Sequence, residues 1–305
     1  MKLVTYQTAG LPARLGVVQH GLVHDLCAAA AARGDRLPRT MRGLLSLGAE
    51  GLDMARQAAH FAAAHRLPAI PEAEATFLAP LGDPPKILCL AGNYQAHIQE
   101  GGLKAVEKAR ITPRVFMKPI TTLCGNGAPI LLPEVSKHVD YELELAVVIG
   151  KAGHLIPTAD ALSHVAGYAV YNDISSRRLV IAEGRDARDG DGFFDWLAGK
   201  WQDNSGPMGP YLVTADEVPD VSTLGMHLFV NGEKRQDALA GQMIFDVAET
   251  IAFCSRLVTL QVGDIIATGT PSGVGDAKGV YLKAGDVVRC EIDGLGVLEN
   301  PVRAA

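Results

Sequence analysis

The chain has 305 residues, of which 48% are hydrophobic and 20% charged, and its formal net charge is −6. This composition is enough for a large buried core in one large domain or two ordinary ones. No basic patch points to nucleic acid, and no stretch reaches the roughly 20 apolar residues that span a bilayer. The five scattered cysteines contain no Cys-x-x-Cys pair, which argues against a disulfide framework. We therefore expect a cytoplasmic protein with no nucleic-acid partner and no membrane partner.

The N-terminal part of the chain has the pattern of a small α+β unit. Residues 2–25 predict a β-meander with a tight turn at His20-Gly21. Alanine-rich segments with helical spacing follow, and then comes a proline-rich connector. We therefore predict a small N-terminal domain, residues 1–75, ahead of a second domain, residues 84–305.

The rest of the chain consists mainly of short β-like runs separated by glycine and proline. Asn231-Gly232 is the strongest hairpin signal, because both residue types accept positive φ. Helical patterns are fewer, at about residues 158–165, 174–184 and 246–258. Many strands and few helices predict a β-rich α+β fold rather than alternating βαβ units.

An acidic stretch leads directly into an apolar run at residues 140–151, DYELELAVVIGK. Because side chains alternate along a strand, Asp140, Glu142 and Glu144 share one face. Partly desolvated carboxylates this close repel each other, so a proton, a basic side chain or a metal ion must neutralise them. A solvated strand end that pairs with lysines is the alternative. An oxygen-only pair suits Mg²⁺, Mn²⁺ or Ca²⁺ better than Zn²⁺.

A third acid follows another β-like run in GYAVYNDISSRR, residues 167–178. Asp173 stands where the strand pattern ends and where a helix over SSRRLVIAE could begin. It is therefore either a third oxygen ligand beside the two glutamates or the N-cap of that helix. Sequence periodicity does not decide between these roles.

Five motifs occur in the order typical of a known family: DYELELAVVIGK, GYAVYNDISSR, GPMGPYLV, GDIIATGTPSGVG and LKAGDVVRCEIDGLGVLENPV. Together they resemble the fumarylacetoacetate hydrolase superfamily, in its acylpyruvate hydrolase and 2-hydroxydienedioate isomerase-like branch. The resemblance implies an α+β, β-rich fold: a mixed β-sandwich roll with a small N-terminal α+β domain, assembled as a homodimer. It also implies Mg²⁺ or Mn²⁺ held by Glu142, Glu144 and Asp173.

A second candidate group lies in LAGNYQAHIQEGG, where His97 and Glu100 are three residues apart. On a helix this spacing puts both side chains on one face. An ordinary amphipathic surface turn is the alternative. The resemblance implies a water-activating base, oriented by the glutamate, on a mobile segment that closes over the substrate.

The resemblance assigns roles to three more residues, each of which could otherwise be an ordinary surface or turn residue. Lys200 would stabilise an enolate, Arg177 would contact the acyl part of the substrate, and Thr270 would hold a substrate carboxylate. Fumarylacetoacetate hydrolases proper carry a glutamine three residues after the arginine, but this chain has Val180. That departure argues against fumarylacetoacetate itself as the substrate.

The predicted reaction is hydrolysis of a C–C bond in a 2,4-diketo acid of the acylpyruvate type, giving pyruvate and a carboxylic acid. The same enolate chemistry would serve an isomerase, decarboxylase or hydratase acting on a 2-oxo or 2-hydroxydienoate acid of aromatic catabolism. A catalytically silent binding protein should have lost one of the site residues, and none is missing. A nucleotide-binding oxidoreductase is excluded, since ATGTPSGVG fails both the Walker and the dinucleotide spacing. The acyl group, the metal and the role of residues 182–197 stay open.

Overall fold

The computed structural model describes residues 1–8 and 10–305 of the chain. Its helices are α1 (Leu26–Arg33), α2 (Met41–Leu45), α3 (Gly48–Ala64), α4 (Gln95–Glu100), α5 (Asp191–Ala198), α6 (Val247–Leu257) and α7 (Gly275–Lys278). Its strands are β1 (Lys2–Gln7), β2 (Arg14–Gln19), β3 (Leu22–Asp25), β4 (Ala69–Pro71), β5 (Thr76–Phe77), β6 (Ile87–Ala91), β7 (Arg114–Lys118), β8 (Leu123–Cys124), β9 (Ile130–Leu132), β10 (His138–Asp140), β11 (Leu143–Ile149), β12 (Val165–Asn172), β13 (Ser175–Arg177), β14 (Gly206–Thr214), β15 (Gly225–Val230), β16 (Glu233–Leu239), β17 (Ile265–Ala267), β18 (Val287–Ile292) and β19 (Gly296–Ala304).

Most strands form one large mixed sheet with the order β4-β3-β2-β1-β14-β12-β11-β17-β6-β7. In this sheet β1 pairs antiparallel with β14. This pairing joins the N-terminal strands to the strands around β11, which carries Glu144. The boundary predicted between residues 1–75 and 84–305 stays a prediction. The continuous strand pairing ties the two parts together.

A second sheet, of order β16-β15-β18-β19-β9, packs against the first. The core between the sheets contains Leu145 and Val147 of β11, while Ala146 and Val148 on its other face pack in a second core with α1, α2 and α3. Burial on both faces explains why the apolar run of β11 does not alternate. Each fully buried leucine or valine stabilises the fold by about 1.5–3 kcal/mol, which offsets part of the cost of holding carboxylates at the start of the strand. The predicted α+β, β-rich fold is confirmed.

Both predicted tight turns are confirmed. His20 and Gly21 have φ of 51° and 75°, and Asn231 and Gly232 have φ of 52° and 80°. Two successive residues with positive φ match the right-handed twist of the flanking strands, so each pair closes a two-residue hairpin.

The helices predicted in the second half of the chain have different outcomes. The one at 246–258 is confirmed as α6, where Asp246 accepts a hydrogen bond from the Glu249 N–H at 2.8 Å. The one at 158–165 is a 3₁₀ helix, Thr158–His164.

The helix predicted over 174–184 is wrong. The first residues form β13, whose Ser176 pairs with Val139 of β10, so their backbone groups serve a ladder instead of a helix. Arg178 then has a φ of 50°, which a right-handed helix cannot accommodate. Asp173 is therefore not the N-cap of a helix.

Among the described residues, no helix has the length and apolar character needed to cross a membrane. All five cysteines are free thiols. The cytoplasmic location stays a prediction.

Candidate active site

The three acids predicted as metal ligands lie together at one end of the large sheet. One carboxylate oxygen from each of Glu142, Glu144 and Asp173 lies within 4.8 Å of the others, and all three side chains are buried. The antiparallel pairing of β11 with β12 places Leu143 opposite Asn172. The start of one strand therefore meets the end of the next, and the Asp173 N–H donates to the Glu142 carbonyl at 2.8 Å.

Two buried lysines approach this acidic cluster. Lys200 Nζ donates to Glu142 Oε2 at 2.8 Å and to Asp173 Oδ2 at 2.7 Å. Lys118 Nζ donates to Asp173 Oδ1 at 2.6 Å and to the carbonyls of Ser205 and Ile174 at 2.8 and 3.2 Å. An ammonium has three hydrogens, so Lys118 is saturated by the protein while Lys200 keeps one donor for another group. Sequence reasoning missed Lys118, because one lysine at a strand end resembles any surface lysine.

The charges in the cluster hold Lys200 and Glu142 ionised. Burial alone would lower the pKa of Lys200, but the carboxylates of Asp173 and Glu142 raise it above its ordinary value. Burial alone would raise the pKa of Glu142, but Lys200, Arg177 and His97 together lower it to about 2. Lys200 is therefore an ammonium at neutral pH and is not a general base.

Glu144 is the acid that the described protein groups leave uncompensated. Its side chain is 1% exposed, and within the described residues it has no ion-pair partner. Its hydrogen bond comes from the Gly269 N–H, at 2.9 Å from Oε2. Burial, and then the negative charges of Asp173 and Glu142, raise the pKa of Glu144 well above its ordinary value. A divalent cation among these three carboxylates would remove that penalty, and their all-oxygen donor set fits Mg²⁺ or Mn²⁺.

Arg177 lies beside the cluster, against two acids. Its guanidinium donates to Glu142 Oε1 and, at 3.1 Å, to Asp140 Oδ2. Its side chain is 16% exposed. The substrate contact predicted for Arg177 stays a prediction. The contacts present in the structure are with carboxylates, and Asp140 was not predicted as a site residue. The single strand face expected for Asp140, Glu142 and Glu144 is wrong, because the strand is interrupted at Tyr141 and Glu142, so that Asp140 ends β10 and Glu144 lies on β11.

The predicted acid–base pair forms on α4. His97 Nδ1 lies 2.8 Å from Glu100 Oε1, and Glu100 Oε2 accepts a hydrogen bond from the Gly273 N–H at 2.7 Å. The two side chains are 21% and 17% exposed. The loop that donates the Gly273 N–H to Glu100 also donates the Gly269 N–H to Glu144, so one loop joins the pair to the acidic cluster. Glu100 therefore anchors the imidazole to the glycine-rich loop that carries Thr270.

Thr270 is buried in that loop, at the strand end after β17. Its hydroxyl oxygen accepts a hydrogen bond from Gln236 Nε2 at 2.8 Å, and Gln236 Oε1 accepts the Leu143 N–H at 2.9 Å. Gln236 thus connects the loop to the acidic strand, a role for which the sequence contains no local signal. The carboxylate contact predicted for Thr270 stays a prediction.

Residues 182–197 contribute one wall of the site through α5. The ring of Trp196 lies 5.8 Å from Lys200 Nζ and packs edge-on against Phe116, which is 5.2 Å from the same nitrogen. The faces of both aromatic rings carry negative π density, which stabilises the nearby ammonium of Lys200. This segment therefore helps to shield Lys200 from water.

Gly273→Ala is expected to lower turnover by about a hundredfold, because small displacements of catalytic groups cost this much. Gly273 has a φ of 108°, and a Cβ there would lie 2.1 Å from the Arg235 carbonyl oxygen, so the loop must move and release Glu100. Gly279→Ala is the matched control, since Gly279 also has positive φ but has open space around it. Steady-state rates of both variants check the prediction, and parental turnover in Gly273→Ala would contradict it.

Comparison with known proteins gives the family. Residues 86–303 match the family model described as fumarylacetoacetate hydrolase C-terminal. The chain belongs to the fumarylacetoacetate hydrolase family, and it shares the fold of solved members.

Several named relatives are enzymes. The mitochondrial oxaloacetate tautomerase of Rattus norvegicus is 41% identical over 87% of this chain and 80% of its own length. The maleylpyruvate hydrolase of Sphingobium sp. SYK-6, solved with manganese(II) and pyruvate, is 31% identical with a TM-score of 0.77 over the full length of both chains. The 5-carboxymethyl-2-hydroxymuconate delta-isomerase of Mycobacterium smegmatis is 26% identical with a TM-score of 0.73, over 100% of this chain and 99% of the other.

Proposed function

We propose that this protein interconverts the keto and enol forms of a 2-oxo dicarboxylic acid such as oxaloacetate. The observation that carries the proposal is the anchored His97–Glu100 pair, joined through one loop to a buried cluster of three acids and one available ammonium. Enolisation needs one group to move a proton and positive charge to stabilise the enolate. The oxaloacetate tautomerase at 41% identity supports this choice of substrate.

Glu142, Glu144 and Asp173 would hold the divalent cation, Mg²⁺ or Mn²⁺. When bound, the cation supplies Lewis-acid polarisation of the 2-oxo group. The raised pKa of Glu144, which has no ion-pair partner among the described residues, supports this site, and so does the manganese(II) in the maleylpyruvate hydrolase relative.

His97 would move the proton. Glu100 accepts the Nδ1 hydrogen, a tautomer that we infer from the hydrogen bond, so Nε2 is left to take a proton from C3 of the substrate. The same nitrogen can return the proton to the C2 oxygen. Because Glu100 is itself held by the Gly273 N–H, the imidazole keeps its orientation through both steps.

Lys200 and Thr270 would bind the substrate. The third hydrogen of the Lys200 ammonium is available to the C2 oxygen as negative charge develops there. The Thr270 hydroxyl already accepts from Gln236, which leaves its own hydrogen to donate to a substrate carboxylate. Lys118, with three protein acceptors, has no donor left and would position Asp173.

Hydrolysis of an acylpyruvate is the second candidate. The partial exposure of His97 favours it, because a water molecule can reach the imidazole and lose a proton to Nε2. The maleylpyruvate hydrolase relative supports it as well. The homodimer remains a proposal from the family resemblance, and the cytoplasmic location remains one from the composition of the sequence.

The test follows the ultraviolet absorbance of the enol, with freshly dissolved enol oxaloacetate and with acetylpyruvate. With Mn²⁺, we expect the protein to speed the loss of oxaloacetate enol without releasing pyruvate, and excess chelator should stop this. Pyruvate appearing in step with acetylpyruvate loss would establish the hydrolase instead. Pyruvate from oxaloacetate would mean decarboxylation, and no enzymatic rate with either compound would overturn the proposal.

A further inference from the structure

Asp140 is a buried acid outside the three predicted ligands, and its carboxylate makes a dense set of contacts. Oδ1 accepts the backbone N–H groups of Tyr141 and Gly275 at 2.9 and 2.6 Å. Oδ2 accepts the Asp276 N–H at 3.1 Å, together with Nε and Nη2 of Arg177 at 3.3 and 3.1 Å. These bonds join the end of β10, the glycine-rich loop and Arg177 at one point.

Arg177 passes this constraint on to Glu142. One of its nitrogens, Nη2, donates to both Asp140 and Glu142, and the guanidinium is planar, so fixing it on one acid orients the other. The second oxygen of Glu142 is held by Lys200 at 2.8 Å. Both oxygens of this glutamate therefore have a protein partner that sets their direction.

The loop side of the arrangement depends on a glycine. A Cβ at Gly275 would lie 2.7 Å from Asp140 Oδ1 and 2.0 Å from the Val280 carbonyl oxygen. Only a residue without a side chain lets the carboxylate approach the backbone N–H this closely. Asp140 is thus fixed by the backbone on one side and can hold Arg177 rigidly on the other.

We infer that Asp140 is a positioning residue that acts through Arg177 to hold the Glu142 carboxylate in the orientation in which it binds the divalent cation. This inference rests on the cation site of the proposed function, but it does not depend on which reaction follows. It gives Arg177 a role toward the protein's own ligand instead of the acyl group of a substrate.

The competing explanation is that Arg177 acts only through its positive charge. It predicts the opposite change in metal affinity when Arg177 is removed. If Arg177 acts only as a cation near Glu142, it competes with the metal, and its removal should strengthen metal binding. If Arg177 positions Glu142, its removal should weaken metal binding even though a positive charge is lost. The affinity of Arg177→Met for Mn²⁺ therefore separates the two.

The experiment is calorimetric titration of the 305-residue chain with Mn²⁺ alone. We expect Arg177→Met and Asp140→Asn to bind Mn²⁺ about 10–100-fold more weakly than the parent, as is typical when a partner of a ligand is lost. Arg177→Lys keeps the positive charge but loses the planar guanidinium that contacts both acids, so it should also bind Mn²⁺ more weakly. It is the variant to measure if Asp140→Asn fails to fold. Unchanged or tighter binding by the arginine variants would overturn the inference.

Asp264→Asn is the matched control. Asp264 is also fully buried and pairs with Lys86 at 2.5 Å, but it lies at the other end of β11, where its carbonyl accepts the Ile149 N–H. Asp264→Asn should have a lower thermal stability than the parent but an unchanged affinity for Mn²⁺. If it loses as much Mn²⁺ affinity as Asp140→Asn, general destabilisation of the fold explains the effect at Asp140. A parent that binds no Mn²⁺ would overturn the cation site and this inference together, whereas a failed enol assay with intact Mn²⁺ binding would overturn only the reaction.

Discussion

Glu144→Gln is expected to lower cation-dependent turnover at least about a hundredfold while leaving the fold intact. Lewis-acid stabilisation is worth several kcal/mol, and each 1.4 kcal/mol is a factor of ten in rate. Glutamine keeps the shape and an oxygen that can accept the Gly269 N–H, so the loop contact survives. The substitution removes the buried carboxylate that has no ion-pair partner among the described residues. It thereby removes a charged ligand of the divalent cation.

The measurement combines enol turnover with thermal unfolding in the presence and absence of Mn²⁺. The parent should gain stability from Mn²⁺, because a ligand that binds only the folded state raises its stability. Glu144→Gln should show little or no gain, and without metal it should be at least as stable as the parent, since it relieves repulsion from Glu142 and Asp173. Glu74→Gln, a change at an exposed glutamate, is the control. Parental turnover in Glu144→Gln would refute the ligand assignment.

His97→Ala is expected to lower turnover about 10²–10⁴-fold, the range for loss of a general acid–base group, while Mn²⁺ affinity stays near that of the parent. The imidazole contacts Glu100, and it is not among the described side chains that cluster as potential metal ligands. Loss of proton transfer should therefore appear in the rate and not in the metal titration. Glu100→Gln should lose part of the same effect, because its amide can still contact Nδ1 and the Gly273 N–H.

Two readouts keep this prediction open to refutation. Enol turnover measures the proton transfer, and calorimetric titration with Mn²⁺ measures the acidic cluster. His60→Ala, at an exposed histidine on α3, should change neither. A large loss of Mn²⁺ affinity in His97→Ala would assign the imidazole to the cation site, and unchanged turnover would remove it from the mechanism.

Burial of so many charges in one place limits which substitutions the protein tolerates. Four buried acids face three basic side chains, and they are Asp140, Glu142, Glu144, Asp173, Lys118, Lys200 and Arg177. Removing one member of a buried pair leaves its partner uncompensated, which typically costs about 3–5 kcal/mol. Variants at Lys118 and Lys200 therefore test folding and chemistry at once, whereas Glu144 and His97 separate the two.

Local spacing was enough to predict two parts of the site. Glu142 and Glu144 are two residues apart, which keeps their carboxylates close although Glu142 stands before the start of β11. His97 and Glu100 meet because three residues make almost one helical turn. Both patterns act over a few residues, so neighbours along the chain contain the information. The tight turns at His20-Gly21 and Asn231-Gly232 are local in the same sense.

Only the tertiary structure excluded the helix N-cap as a role for Asp173, and its role as a metal ligand stays a prediction. Its residue type suits an N-cap and a ligand equally, and the pairing of β12 with β11 and of β13 with β10 settles against the cap. Lys118 and Lys200 likewise look alike in sequence and differ by the third acceptor that folding places around one of them. Asp140 and Gln236 each have partners in segments more than thirty residues away. The sequence alone determined the local periodicity and the residue types of the site, whereas strand pairing over long separations determined which charges meet, because electrostatic neutralisation depends on distance in space.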